Sequence, residues 1–486
     1  MIRVQVNQEM FVYDIYHILK AFCPNCAVEQ SLDTTDTCAV KIELNGQVFE
    51  ISDSEVSEIA DRKLKKRYVN LCMYQWLKDT LSKELSWGIM TGVRPTKPMM
   101  NLIEQGLSDE EVIDFMQEHY GVSSEKANLG LRVAKKEKSL LEQLDYQEGY
   151  SLYVGIPFCP TTCSYCSFTS YPIARWSERV DEYLDAVCKE LMYISSVSKN
   201  KRLNTIYIGG GTPTTLESRQ LDRLLTHLER SFSYEHLKEI TVEAGRPDSI
   251  TDDKLRVLKN HGIGRISINP QTMQQKTLDF IGRRHTVEDF KRAYEMARDM
   301  GFDNINMDII AGLPGETIED MQDTLEQILK MAPDSLTVHA LAMKRASRMT
   351  REQKEGVTES VNDEAKIAHT LSGMIALAAD YASQMQLEPY YLYRQKNIAG
   401  TFENVGYAQV DKAGIYNILI MEEKQSIVAV GAGASTKIVL PKEQIMIDTK
   451  TGNEKRIARL ENVKDIEQYI RRIDEMIERK GELLWH

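Results

Sequence analysis

The sequence predicts an α/β protein: a partial (β/α)6 TIM-like barrel with an N-terminal α+β module before it and a C-terminal α+β domain after it. Three observations predict this. Between residues 146 and 345, short apolar runs alternate with stretches of helical period. The runs are Ile-, Val- and Tyr-rich and are punctuated by Gly and Pro, as strands followed by turns should be. Six such units are too few for a complete eight-stranded barrel, so the parallel sheet closes only part of the way. The pattern changes on either side, which sets boundaries at 1–145, 146–345 and 346–486.

The first region reads as a strand over 1–6, a helix over 11–22 and a hairpin of 38–44 and 48–51 joined by Asn45-Gly46. Helices follow over 64–85 and within 108–145, with a polar loop at 92–97. The barrel strands fall at 151–156, 205–208, 239–244, 265–269, 304–310 and 335–342. Helices fall at 176–197, 220–232, 252–261, 287–300 and 319–331. Thr251 and Thr286 stand where N-caps are needed, and Gly262 and Gly301 end the helices they start. Beyond the barrel, 359–385 reads as an Ala-rich helix and 389–396 as an aromatic–basic stretch. The apolar runs 415–422 and 427–430 read as a hairpin, followed by Gly431-Ala-Gly-Ala-Ser-Thr436. A last helix over 463–480 places Val463, Ile466, Ile470, Ile473 and Ile477 on one face, to pack across the open side of the barrel.

Composition narrows the class. The 486 residues are 42% hydrophobic and 27% charged, with a net charge of −12. That balance argues against nucleic acid as the main partner. No apolar run reaches the length of a membrane span, and the opening residues lack the apolar segment of a signal peptide. Eight cysteines in such a chain predict a reducing, cytoplasmic setting, in which clustered cysteines read as metal ligands. The dispersed Cys38, Cys72 and Cys188 read as small buried hydrophobes. Cys23 and Cys26 form a C-x-x-C pair with no partner pair near it in sequence.

Cys159, Cys163 and Cys166 carry the chemistry. They stand in Tyr153-Val-Gly-Ile-Pro-Phe-Cys-Pro-Thr-Thr-Cys-Ser-Tyr-Cys-Ser-Phe168, directly after the first barrel strand. Zinc prefers four ligands in paired knuckles, and none follow here. Three thiolates suit three corners of a cubane [4Fe-4S] cluster and leave one iron open. Gly209-Gly-Gly-Thr-Pro213 ends the second strand, where glycines admit close backbone approach and offer N–H donors. Glu243, Gln271 and Asp308 stand at the ends of later strands, and Arg283 is suited to pairing with a carboxylate.

The cysteine spacing resembles that of the radical S-adenosylmethionine (SAM) enzymes. Together with Gly-Gly-Gly-Thr-Pro-Thr, Arg-Ile-Ser-Ile-Asn-Pro-Gln and Met-Asp-Ile-Ile-Ala-Gly-Leu-Pro-Gly, it resembles the oxygen-independent coproporphyrinogen III oxidase group over residues 150–440. The N-terminal module and Thr91-Gly-Val-Arg-Pro-Thr-Lys97 resemble its coproporphyrinogen dehydrogenase (HemZ-type) branch. The resemblance implies a radical SAM core, with Cys159, Cys163 and Cys166 holding the cluster. It implies Tyr153 and Tyr165 against SAM, with Gly210, Gly211 and Thr212 at its methionyl end. Glu243, Gln271, Arg283 and Asp308 would complete the polar shell, and Ala340 and Ser435 would line the pocket. It implies oxidative decarboxylation of coproporphyrinogen III propionates to vinyl groups, with reduced flavodoxin or ferredoxin as electron donor. Lys344, Arg345, Arg348 and Arg394 are candidate cations for the substrate carboxylates. Tyr390, Tyr391 and Tyr393 read as packing residues rather than a macrocycle platform.

Two positions depart from the family pattern. Gly155 stands where the group has a histidine, and Phe168 stands where decarboxylating members have a fourth cysteine. Phenylalanine there resembles the related haem chaperones. Haem delivery and anaerobic haem ring-opening are therefore the alternatives left open.

Overall fold

The computed structural model describes residues 1–24, 26–166, 168–341, 361–394, 402–447 and 454–485. Two compact units are present. The first contains Met1–Lys136 and Leu392–Asn404; the second contains Glu137–Tyr391, Val405–Ile447 and Glu454–His486.

In the first unit a four-stranded sheet has the order β2-β1-β3-β4, with β1 Ile2–Val6, β2 Val28–Leu32, β3 Cys38–Leu44 and β4 Gln47–Ser52. Asn45 and Gly46 turn between β3 and β4 with φ of 52° and 82°, the left-handed pair that a tight hairpin requires. Helices Glu9–Phe22 and Arg62–Leu81 bury Phe11, Ile15, Ile18, Met73 and Leu77 in one core with the sheet. Strand β2 has no apolar alternation, and four of its five residues are exposed, so its sequence does not signal a strand. Loop 91–97 is held by Arg394, whose backbone N–H donates to Val93 O at 2.8 Å and whose Nη1 donates to Met90 O.

The second unit is built on the parallel order β5-β8-β9-β10-β11-β12. These are β5 Gly149–Ile156, β8 Arg202–Gly210, β9 Glu239–Glu243, β10 Arg265–Ser267, β11 Ile305–Ala311 and β12 Ser335–Ala340. Two short strands, β6 Phe158–Cys159 and β7 Tyr171–Pro172, pair with each other after β5. The intervening helices start at caps written in the sequence. Thr251 Oγ1 accepts from the Lys254 N–H at 3.4 Å, and Thr286 Oγ1 from the Asp289 N–H at 3.0 Å. β5 and β12 are separated by the whole parallel run, so the barrel is open, as the six-unit count predicts.

The later strands extend the same sheet. Beyond β12 stand β14 Glu403–Ala408, which is antiparallel to it, and β13 Glu388–Arg394. Beyond β5 stands β15 Ser426–Val430, parallel to it, then antiparallel β16 Ser435–Val439. A small hairpin of β17 Met446–Ile447 and β18 Glu454–Lys455 precedes β19 Ile457–Glu461, which pairs with β16.

Two expectations are corrected here. The run 415–422 is a helix, Ile415–Glu422, not one arm of a hairpin. A short run that is apolar but for Asn417 and Glu422 shows no clear period to separate helix from strand, and here the Glu239 carboxylate supports the helix. It accepts the N–H groups of Ile415 and Tyr416 at 2.5 and 3.4 Å, at the start of the helix. The expected helix 463–480 is two helices, Ile466–Arg471 and Ile473–Gly481, divided at Arg472 with φ −109°. They lie against helix Val180–Val197 outside the sheet rather than across the open side.

A buried ion pair fixes that arrangement. Glu190 and Lys480 are both 0% exposed and are paired with each other. Glu190 also accepts from Gly431 N–H at 3.0 Å, from Asn462 Nδ2 at 2.9 Å and from Tyr469 Oη. Among the described residues no helix is long and apolar enough to cross a membrane. Lys480→Met strands Glu190 as a buried charge and should lower the free energy of unfolding by ~3–5 kcal/mol in urea denaturation.

Candidate active site

The cysteine loop sits at the C-terminal end of β5, held by unusually close backbone contact with β8. Their register sets Ile156 opposite Gly210. Past that point the Gly211 N–H donates to Ile156 O at 2.8 Å and the Thr212 N–H to Phe158 O at 2.7 Å. Gly210 has φ +109°, and a Cβ on Gly211 would stand 2.6 Å from Phe158 O, so both positions require glycine. Thr212 Oγ1 is thereby brought to 3.5 Å from Cys159 Sγ. Ser164 N–H anchors the loop on Ile281 O at 3.1 Å, and a turn from Cys166 N–H to Cys163 O at 3.2 Å spaces the last two thiols.

Among the described residues no three His, Cys, Asp or Glu side chains converge on a single-ion site. A cubane places its irons at separate corners, so its thiolates need not converge on one point. The three thiols still sense each other. Burial pushes the Cys159 thiol up to about 11, and the charges of Cys166 and Cys163 add to the rise. Burial raises Cys166 as well. As free thiols Cys159 and Cys166 are therefore protonated, and taking up iron must release those protons. Three half-buried thiols on one loop, with no fourth ligand beside them among the described residues, fit an iron–sulfur cluster with an open iron better than zinc.

Below the loop, alternate residues of the strands face the lumen. Tyr153 on β5 stacks on Tyr207 of β8 at 6.2 Å, and Tyr207 stacks on Tyr416 of helix Ile415–Glu422 at 4.4 Å. The Tyr207 hydroxyl donates to Glu243 Oε1 at 2.5 Å, and the Gly210 N–H donates to Glu243 Oε2 at 3.3 Å. Burial pushes Glu243 up to about 7; the Asp308 charge adds to this, while those two hydrogen bonds oppose it.

Asp308 on β11 responds in the other direction. Burial works against its charge, but His339, Asn306 and Thr337 together hold it below the usual carboxylate range. Asn269 Nδ2 and Asn306 Nδ2 each donate to it at 2.7 Å, and His339 Nε2 lies 3.8 Å away. Gln271 follows β10 with φ +66°, a conformation rare outside glycine, and is fixed by Asp308 O and the Ile310 N–H at 3.0 and 2.9 Å.

Arg283 is 5% exposed. Its Nη1 donates to Asn269 O at 2.7 Å and to Gly245 O at 3.2 Å, and its Nη2 lies 3.4 Å from the Tyr165 hydroxyl. Ala340 ends β12, and Ser435 opens β16 opposite Glu461. Thus Tyr153, Tyr165, Gly210, Gly211, Thr212, Glu243, Gln271, Arg283, Asp308 and Ala340 gather at or near the C-terminal ends of the parallel strands. Ser435 lies on the flanking strand, beside Ala434, whose Cβ lies 3.8 Å from where a Cβ on Gly155 would stand.

Several residues of this site escape sequence reasoning. Tyr207 is an ordinary strand aromatic until its register with Tyr153 is known. Tyr416 lies in the run misread as a strand. His339 shows no motif, only period-two placement with Thr337. Arg246 sits in a polar loop, Gly245-Arg-Pro-Asp248, yet it is 3% exposed and its Nη1 is 3.4 Å from Cys163 Sγ.

The departures from the family pattern have physical content. A Cβ at Gly155 would stand 3.2 Å from Val430 O of β15 and 3.4 Å from the Tyr153 ring, so the flanking strand fills the space of a side chain. Phe168 is 73% exposed. Arg394 is 4% exposed, with Nη1 donating to Met90 O and the Glu403 charge nearby, so it is a buried residue of the first unit rather than an exposed cation. Lys344, Arg345 and Arg348 lie outside the described residues. Tyr390 and Tyr391 are buried, 0% and 6% exposed, as packing residues should be.

Comparison with known proteins agrees with this geometry. The Radical SAM superfamily profile matches residues 153–328. The chain is 40% identical, over 81% of its length and 76% of the relative's, to the oxygen-independent coproporphyrinogen-III oxidase-like protein HemZ of Bacillus subtilis (strain 168). It is 38% identical to the heme chaperone HemW of the same organism, over 39% of this chain and 50% of that one. In fold it is similar to the coproporphyrinogen III oxidase HemN of Escherichia coli, with TM-score 0.52 and 21% identity over 70% of this chain and 73% of that one. The chain belongs to the HemZ-type family of oxygen-independent coproporphyrinogen-III oxidase-like proteins within the radical SAM superfamily, whose cofactors are a [4Fe-4S] cluster and S-adenosylmethionine.

Proposed function

We propose that this chain is a radical SAM oxidoreductase that oxidatively decarboxylates coproporphyrinogen III propionates to vinyl groups, yielding protoporphyrinogen IX. The observation that carries the reading is the three-cysteine loop set over a lumen lined by Glu243 and Asp308, in a chain 40% identical to HemZ. Cys159, Cys163 and Cys166 hold the cluster in this reading. When bound, the cluster and SAM supply one electron and a 5′-deoxyadenosyl radical that takes a hydrogen from a propionate β-carbon.

The chain's own residues bind, orient and exclude water. Gly210 and Gly211 meet the methionyl end with their backbone, and Thr212 is buried beside Cys159. Glu243 accepts from the methionyl amino group, and Asp308 accepts from the ribose hydroxyls. Gln271, Tyr153, Ala340 and Ser435 line the remaining wall. Tyr165 packs against the adenine, held by Arg283. Loss of carbon dioxide, with one further electron passed to an external one-electron acceptor, leaves the vinyl group. Holding the propionate against the site of hydrogen transfer is the protein's main contribution to rate. Reduced flavodoxin or ferredoxin delivers the first electron.

A second reading, haem chaperone, is favoured by Phe168 and by the 38% identity to HemW. The deciding experiment is anaerobic: reconstituted protein, SAM, reductant and coproporphyrinogen III, with products followed by mass. Carbon dioxide loss together with 5′-deoxyadenosine is the expected result. Formation of 5′-deoxyadenosine without decarboxylation, with tight haem binding, would transfer the proposal to the chaperone.

Cys163→Ala should retain the fold by circular dichroism but lose the iron and sulfide of a SAM-cleaving cluster.

Glu243 gives SAM binding a pH dependence of definite sign. Its carboxyl is raised from 4.5 to about 7, so in the free protein it is protonated on the acid side of neutrality. The ionised form is the better acceptor. Affinity for SAM should therefore rise with pH through about 7, and Glu243→Gln should bind more weakly with a flatter profile. Equilibrium binding across that range checks both. A raised carboxyl opposes folding increasingly as pH climbs from 4.5 through about 7, so the thermal stabilisation given by SAM should grow over the same interval.

A further inference from the structure

The three thiols of the loop have different neighbours. Cys159 meets the Thr212 hydroxyl at 3.5 Å, and Cys166 lies 4.0 Å from Phe168 O. Cys163 meets a cation: Arg246 Nη1 stands 3.4 Å from its Sγ. That guanidinium is 3% exposed and has little freedom to move. Its Nε and Nη2 form a fork on the Asp248 carboxylate at 2.9 and 2.7 Å. The same group donates from Nη2 to Thr161 Oγ1 at 3.1 Å and from Nη1 to Thr161 O at 3.3 Å, both on the cysteine loop. Arg246 thus ties the loop to the turn after β9 and aims one N–H at a sulfur.

We propose that Arg246 is a positioning residue that raises the reduction potential of the cluster through Cys163. This rests on the reading that Cys159, Cys163 and Cys166 hold that cluster. Reduction adds one negative charge to thiolate ligands already in a buried site. A fixed cation within hydrogen-bond reach stabilises the reduced state more than the oxidised one, and a donor to a ligand sulfur acts in the same direction. Low local polarity strengthens both effects. Asp248 offsets part of the charge. Its side chain is 24% exposed, however, while the guanidinium facing the sulfur is buried, so the field at Cys163 stays positive. Arg283, 5% exposed, adds a second cation on the Tyr165 side.

The test uses the full chain, reconstituted anaerobically, as wild type, Arg246→Gln and Arg246→Lys. Iron and sulfide are counted first. Midpoint potentials are then measured by electron paramagnetic resonance during redox titration without SAM, so that substrate binding and turnover do not enter. Arg246→Gln should load its cluster and show at least a tenfold fall in the equilibrium constant for reduction, ~59 mV for a one-electron couple. Arg246→Lys keeps the charge but loses the fork, and should fall by less. A loaded Arg246→Gln with an unchanged potential would overturn the proposal. If Arg246→Gln fails to load, Asp248→Asn decides: removing the counter-charge should raise the potential, and an unchanged potential there overturns the proposal. A wild-type protein that takes up no cluster, or a Cys163→Ala variant that keeps a SAM-cleaving one, would instead remove the cysteine assignment.

Discussion

Everything at this site depends on how closely β8 approaches β5 where the two strands end. With no side chains on Gly210 and Gly211, the backbone of one strand can hydrogen-bond into the departing loop of the other. That contact fixes Phe158 and Cys159, and with them the start of the cysteine loop. A methyl group at Gly211 would press on two backbone carbonyls, neither of which can rotate away as a side chain could. The rest of the loop is tied to Ile281 O and, through Thr161, to Arg246, so three separate segments of the chain hold it. A flexible segment is thereby made to present three sulfurs in a constant arrangement, which is what a preformed ligand set requires.

The lumen shows how two carboxylates in one cavity are kept distinct. Glu243 and Asp308 repel each other, and the protein distributes its donors unequally between them. Asp308 receives two amide donors and the imidazole of His339, enough to keep it ionised. Glu243 receives one phenol and one backbone N–H, and burial prevails. Pairs of groups driven apart in this way have different jobs. One is a permanent acceptor, while the other is charged only when something compensates it.

Much of the fold was legible because the barrel repeats a simple rule. Strand and helix alternate, and Thr251, Thr286 and the glycines mark several of the joints in plain sequence. The cysteine loop was legible because its spacing has few other uses. What stayed hidden depends on contacts between distant residues. Helix Ile415–Glu422 is apolar but for Asn417 and Glu422, and its first N–H groups meet Glu239, about 175 residues earlier. The break at Arg472 follows from packing on helix Val180–Val197 and the Lys480 ion pair, neither of which is a local signal. Arg394 and Arg246 look alike in sequence, each a basic residue among polar or aromatic neighbours. One donates to the Met90 carbonyl and the other is aimed at a sulfur, a distinction made entirely by what folds around them.

The tyrosine stack carries a consequence for traffic. Tyr416 enters from the N-terminal side of the sheet, where its helix is anchored on the first residue of β9, and lies flat against Tyr207 and Tyr153. Three aromatic rings laid face to face leave little passage for water from that side. Among the described residues, that side of the lumen is floored by phenol rings, so a ligand held near Glu243 rests on an aromatic base.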